Sequence, residues 1–148
     1  DIKALDSLQD YLTKSFSINL LQGAKVKASE TRGNLKKYGA SNVLSNNKNL
    51  YWAVNDNTTT ASLTFQLKER STFNCMEIKE FIPLGQRIQS FTIEVENDGK
   101  WIRVFKGSTV GSKKLAKFDE VNASKVRLTF SNALACPVIK SVKLYKVL

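Results

Sequence analysis

Two different periodicities divide this chain. Over its first segment Ile2, Leu5, Leu8, Leu12 and Phe16 recur every three or four residues with Lys, Asp and Gln between them. That spacing places one apolar stripe on a helix and predicts a short amphipathic helix over residues 1–18, packed either on this domain or on a neighbouring one. From Asn19 the period changes to two. Ala24, Val26 and Ala28 alternate with Lys25 and Lys27, and Leu63, Phe65 and Leu67 with Thr64 and Gln66. Phe91, Ile93 and Val95 alternate with Thr92 and Glu94, Ile102 and Val104 with Arg103, and Val126, Leu128 and Phe130 with Arg127 and Thr129. Val142 and Leu144 close the series. Such alternation predicts antiparallel strands with one buried and one wet face. The apolar run Phe73–Phe81 carries Phe73 and Met76 out of phase, which predicts a bulge, and Lys113–Phe118 is a weaker strand.

Turn signals separate these runs: Pro83-Leu84-Gly85, Asn97-Asp98-Gly99, Gly107-Ser108 and Val110-Gly111-Ser112. Asn97–Gly99, between two alternating strands, predicts a hairpin. About eight short strands punctuated this way make residues 19–148 an all-β sandwich or barrel. The Asn-rich stretch from Ser45 to Thr60 has no period and reads as loop, where sandwiches keep their function.

Composition narrows the chemistry. The 148 residues suffice for one domain with a sizeable core. There is no histidine, which removes the commonest general base and metal ligand and excludes any Ser-His-Asp or Cys-His arrangement. Cys75 and Cys136 are too few for a zinc site and leave open one disulfide or two buried thiols. No apolar run is long enough to span a membrane and no export signal lies near Asp1; a start at Asp rather than Met suggests a mature or excised piece. The net charge of +10 raises nucleic acid, an anionic membrane surface and anionic polysaccharide as partners. Its Lys and Arg are spread along the whole chain without a block of like charge, so the expectation is a solvated basic surface and no nucleic-acid site.

Asn19-Leu20-Leu21-Gln22-Gly23-Ala24, followed by Lys25–Ser29, resembles the opening of coagulation-factor-V/VIII type C, or discoidin-like, domains and of family 32 carbohydrate-binding modules. Tyr51-Trp52, Trp101 after Asn97–Gly99, and the closing Ile139–Tyr145 fit the same frame. Glu80-Phe81-Ile82-Pro83-Leu84-Gly85-Gln86-Arg87-Ile88 looks like a segment of the C-terminal domains of family 29 α-L-fucosidases, supported by Arg32-Gly33-Asn34, Ala135-Cys136-Pro137 and the leading helix. The resemblance implies an eight-stranded antiparallel jelly-roll β-sandwich behind a short N-terminal helix. It also implies a preceding catalytic barrel that carries the reactive carboxylates, and a secreted or periplasmic location.

The same likeness directs attention to the rim loops. In sugar-binding relatives the loop at Glu80–Ile88 presents an Arg and an Asn to sugar hydroxyls; here Glu80 and Gly85-Gln86 stand at those places. Glu80, Gln86 and Arg87 are therefore candidates for sugar contact, against the alternative that Glu80 and Arg87 close the loop by pairing with each other. Arg32 and Asn34 belong to the same rim, either as polar contacts or as solvated neighbours of a turn at Gly33. Tyr51 is the candidate stacking platform, with Tyr38 a weaker one, while Trp52 and Trp101 align with core positions. Many relatives bind calcium in the loop before the Trp. The matching stretch Ser45–Leu50 lacks carboxylates, and Ser141 replaces the acidic residue expected on the last strand, so no metal or other cofactor is expected.

Glu94 and Glu96 share one strand face rather than opposing each other across a cleft, which argues against a glycosidase site in this chain. Three functions follow: a carbohydrate-binding or substrate-positioning domain with a fucosylated or galactosylated glycan as partner, a structural brace for the catalytic barrel, or a membrane module. Only Leu50 and Tyr51 beside Lys48 resemble a membrane-inserting tip.

Overall fold

The computed structural model describes residues 18–147. The predicted connector helix lies outside them, apart from Ile18. Seven strands form the described fold: β1 (Lys25–Ala28), β2 (Trp52–Ala53), β3 (Ala61–Glu80), β4 (Ile88–Asn97), β5 (Lys100–Gly107), β6 (Lys114–Ala133) and β7 (Val138–Tyr145). They run in the order β2-β7-β3-β6-β4-β5, with β1 added to β3, and every pairing is antiparallel.

Seven strands stand for the eight expected segments because β3 and β6 are continuous 20-residue strands that each join two of them, while β2 forms within the stretch read as loop. The first half of β3 pairs with β1 and the second with β7, and the register against β6 slips between Gln66 and Ser71 and again between Phe73 and Cys75. Extra residues of this kind bend a strand and raise its twist. The second slip is the irregularity that the phase of Phe73 and Met76 predicts.

Alternation then fills the interior. Leu63, Phe65, Phe91, Ile93, Val126, Leu128 and Phe130 are buried from one layer, and Phe73, Met76, Ile78, Val142 and Leu144 from the other. Trp52 is fully buried against Phe130, its indole N–H donating to the Glu30 carbonyl at 2.9 Å. Trp101 departs from its expected core place. It lies half-exposed on the outward face of edge strand β5, stacked on the Arg127 guanidinium at 4.3 Å. Ile102, opposite Val95, is 47% exposed, since an edge strand has a neighbour on one side only.

The β4–β5 hairpin forms as predicted. Asn97 pairs with Lys100, and Asp98 and Gly99 take φ of 52° and 79°, the positive values a two-residue type I′ turn needs. Cys75 and Cys136 are both buried free thiols at opposite ends of β7.

Candidate functional site

Short 3-10 turns at Arg32–Asn34, Lys36–Tyr38 and Ala40–Leu44 carry the chain across one end of the sandwich. Left-handed backbone at Gly33 (φ 58°) and Asn34 (φ 54°) reverses it after Arg32. Three polar side chains, Glu30, Asn55 and Asn42, tie these turns down. Glu30 accepts from the Asn55 N–H at 2.8 Å and the Thr58 hydroxyl at 2.7 Å, while the Gly33 N–H donates to Asn55 Oδ1 at 2.9 Å. The Thr58 and Asn55 bonds hold the Glu30 carboxyl below its ordinary pKa. Asn42 donates to the carbonyls of Lys37 (2.8 Å) and Tyr51 (2.9 Å) and so fixes Tyr38 beside Tyr51.

The second wall is the Glu80–Ile88 loop, and Glu80 builds it from inside. Its side chain is not the sugar contact its position suggests: Glu80 is 2% exposed. Its Oε1 accepts from the N–H groups of Arg87 (2.7 Å) and Ile88 (3.0 Å), and Oε2 from that of Gly111 (2.7 Å). The expected Glu80–Arg87 side-chain pair does not form, because the carboxylate is already filled by backbone donors. Arg87 instead wraps the loop, donating to the Leu84 carbonyl (3.0 and 3.2 Å) and to the Cys136 carbonyl (2.9 Å) and Sγ (3.1 Å).

Between these walls lies an open cavity of about 380 Å³, lined by Arg32, Tyr38, Tyr51, Asp56, Leu84 and Arg87 over a floor that includes Cys136 and Val138. Arg32 donates to Asp56 Oδ1 at 2.7 Å and to Cys136 Sγ at 3.2 Å. The Asp56 bond, opposed by partial burial, holds the Arg32 guanidinium above its ordinary pKa. Tyr38, Tyr51 and Phe81 form an aromatic row with centroid spacings of 5.7 and 4.5 Å. Two planar donors, one carboxylate acceptor and a row of rings can hold a polyhydroxylated ring by hydrogen bonds and stacking.

Of the six candidate residues, Arg32, Tyr51 and Arg87 meet in this cavity. Asn34 is exposed beside it, Glu80 is buried behind it, and Gln86 is exposed and leans over Gly111. Asp56 and Cys136 complete the site without having been singled out as ligand contacts. Asp56 had a legible signal, an acidic residue in the functional loop opposite an unpaired Arg32, whereas Cys136 had none. Leu50 and Tyr51 are half-buried rather than a protruding membrane tip, since Tyr51 is packed between Tyr38 and Phe81.

The residues at the calcium-like loop do not fit that ion. Asn47 Oδ1 accepts from the Asn49 N–H at 2.9 Å and Ser45 Oγ from the Asn47 N–H at 3.1 Å, so both oxygens close local turns. Among the described residues no cluster of three acidic, Cys or His side chains could hold a metal.

The F5/8 type C domain family model matches residues 25–136. This chain belongs to that family. Over 98% of its length it is 36% identical to Alpha-L-fucosidase 1 of Arabidopsis thaliana, of which it covers 29%. A Ruminococcus gnavus GH29 fucosidase in complex with fucose superposes with a TM-score of 0.85 at 30% identity, over 94% of this chain and 28% of that one. The F5/8 type C chain is thus homologous to the discoidin-like domain of GH29 α-L-fucosidases, and it spans under a third of the length of these two fucosidases. A chitosan-binding module from a Paenibacillus chitosanase/glucanase shares the fold, with a TM-score of 0.76 at 19% identity over 86% of this chain and 98% of the module.

Proposed function

We propose that this domain is the non-catalytic carbohydrate-binding or substrate-positioning part of a secreted or periplasmic α-L-fucosidase. One observation carries the reading: Arg32, Arg87, Asp56 and the tyrosine row converge on a single open cavity at the rim. None of these groups is arranged as a nucleophile with a base, so the cavity is suited to holding a sugar and not to cleaving it. The reactive carboxylates would lie in a catalytic barrel outside these 148 residues. A bound glycan would then be presented to that barrel at raised effective concentration.

Calorimetric titration with L-fucose, galactose and their oligosaccharides tests this. Binding to one of them should weaken about tenfold in Arg32→Ala and in Tyr51→Ala, the loss of one charge-assisted hydrogen bond or one stacking face. No heat at millimolar sugar would count decisively against it. The alternative, a brace for the barrel, draws on Leu35, Ile82, Leu84 and Leu134, which are 48, 43, 44 and 72% exposed around the same rim. That reading expects no sugar binding by the isolated chain and tight association with the separately produced barrel.

A further inference from the structure

The cationic residues that look scattered in sequence are brought together by strand register on a sheet face that shares no residue with the rim cavity. Lys25 of β1, Gln66 of β3 and Lys125 of β6 stand opposite one another, and Lys27, Thr64 and Arg127 form the next row. Both rows lie on the wet face, because Phe65, Leu63, Val126 and Leu128 between them point inward. From β5 the Trp101 indole leans across β4 onto Arg127. Together Lys25, Lys27, Thr64, Gln66, Trp101 and Lys125 enclose a cavity of about 320 Å³ that no carboxylate lines.

Charge on this face is not balanced. Arg127 pairs with Glu94 at 3.0 Å and Lys125 with Glu96 at 3.5 Å, but neither Lys25 nor Lys27 makes an ion pair among the described residues. Lys25 and Lys27, exposed two residues apart on one short strand, are therefore the cations left for an anion, while Lys125 across β3 is held by Glu96. A half-exposed indole on a solvated strand face supplies what a pyranose ring stacks on, and Thr64 and Gln66 supply hydroxyl partners.

We propose that this trough is a second saccharide site, distinct from the rim cavity, that takes an acidic oligosaccharide bearing uronate carboxylates. Trp101 stacks on the sugar ring, and Lys25 and Lys27 neutralise the carboxylate. A uronate suits this layout because its carboxylate is bonded directly to the ring and stays level with the groups that hold that ring. The proposal does not rest on sugar binding at the rim, since the two cavities share no residue.

Titration of the intact chain with trigalacturonate, followed by calorimetry and by tryptophan emission, tests it. Trp52 is fully buried, so emission changes report Trp101. Trigalacturonate should bind with an affinity that falls as salt rises, and neutral galactotriose should bind at least about tenfold more weakly. Lys25→Gln/Lys27→Gln and Trp101→Ala should each weaken trigalacturonate about tenfold. The lysine pair is exposed and safe to replace, Trp101→Tyr should restore most of the affinity, and Arg32→Ala should leave it unchanged. Equal binding of galactotriose, tighter binding of a sulfated galactan oligomer or a single-stranded oligonucleotide, no effect of the lysine pair, or no binding at all would each overturn the proposal.

Discussion

Glu80 shows how a residue can sit at a binding position and do structural work instead. Its two oxygens satisfy three backbone N–H groups from two loops, and its own N–H donates to the Gly111 carbonyl at 2.9 Å. Glu80→Ala leaves those buried donors unpaired and should destabilise the domain by about 2–4 kcal/mol, read from urea unfolding. Glu30 is the half-buried counterpart. Its pKa is lowered by the Thr58 and Asn55 bonds, so its stabilisation is complete above the ordinary carboxylate range. That contribution disappears as the pH falls through this range toward the depressed folded value. In Glu30→Gln the melting temperature should therefore lose part of its acid sensitivity, and the gap to the parent chain should close at low pH. An unchanged gap across the titration would mean that the Glu30 bonds do not persist in solution.

At the level of elements, the decisive features are places where strands bend or approach closely. β3 and β6 cross from one layer to the other through register slips, and the exposed Lys68, Glu69 and Arg70 mark the outer side of the bend. Gly107, at the end of β5, pairs with Phe91, and a Cβ there would lie 2.7 Å from the Phe91 ring and 2.8 Å from that of Phe105. Those two rings stack at 5.7 Å and seal the edge of the core. Gly107→Ala should therefore cost about 1–3 kcal/mol of unfolding free energy as the rings are forced apart. The same change at Gly39, outside the sheet, meets backbone at 3.1 Å and disturbs no ring.

For the molecule as a whole, the two thiols report how the sandwich separates its ends. Cys75 pairs in register with Tyr145, whereas Cys136 precedes the first residue of β7. Seven strand residues of β7 lie between, roughly 20 Å, far beyond disulfide reach. Burial raises the Cys75 pKa, with Lys117 opposing and Glu77 reinforcing the shift. Cys75 should react slowly with a thiol reagent at neutral pH in the native domain, and unfolding should make both thiols reactive. A single disulfide under non-reducing conditions would contradict this geometry. The rim cavity and the sheet-face trough also lie apart on the molecule, so variants at one should leave ligand binding at the other intact.

The amino-acid sequence alone determined most of the strand-forming segments, the hairpin at Asn97–Gly99, the slip near Phe73 and the family to which the domain belongs; it missed the short strand Trp52–Ala53, which lies in the stretch read as loop. Those features are local: they depend on alternation, on turn chemistry and on short motifs whose residues are neighbours in the chain. The tertiary structure alone decided which polar groups face a ligand. Glu80 was drawn inside because two loops offered it unpaired N–H groups, and Trp101 was left outside because the edge strand turned it toward Arg127. Register likewise set Lys25, Lys27 and Lys125 around one trough. Contacts of this kind join residues tens of positions apart, and no periodicity along a chain encodes which strand will lie beside which.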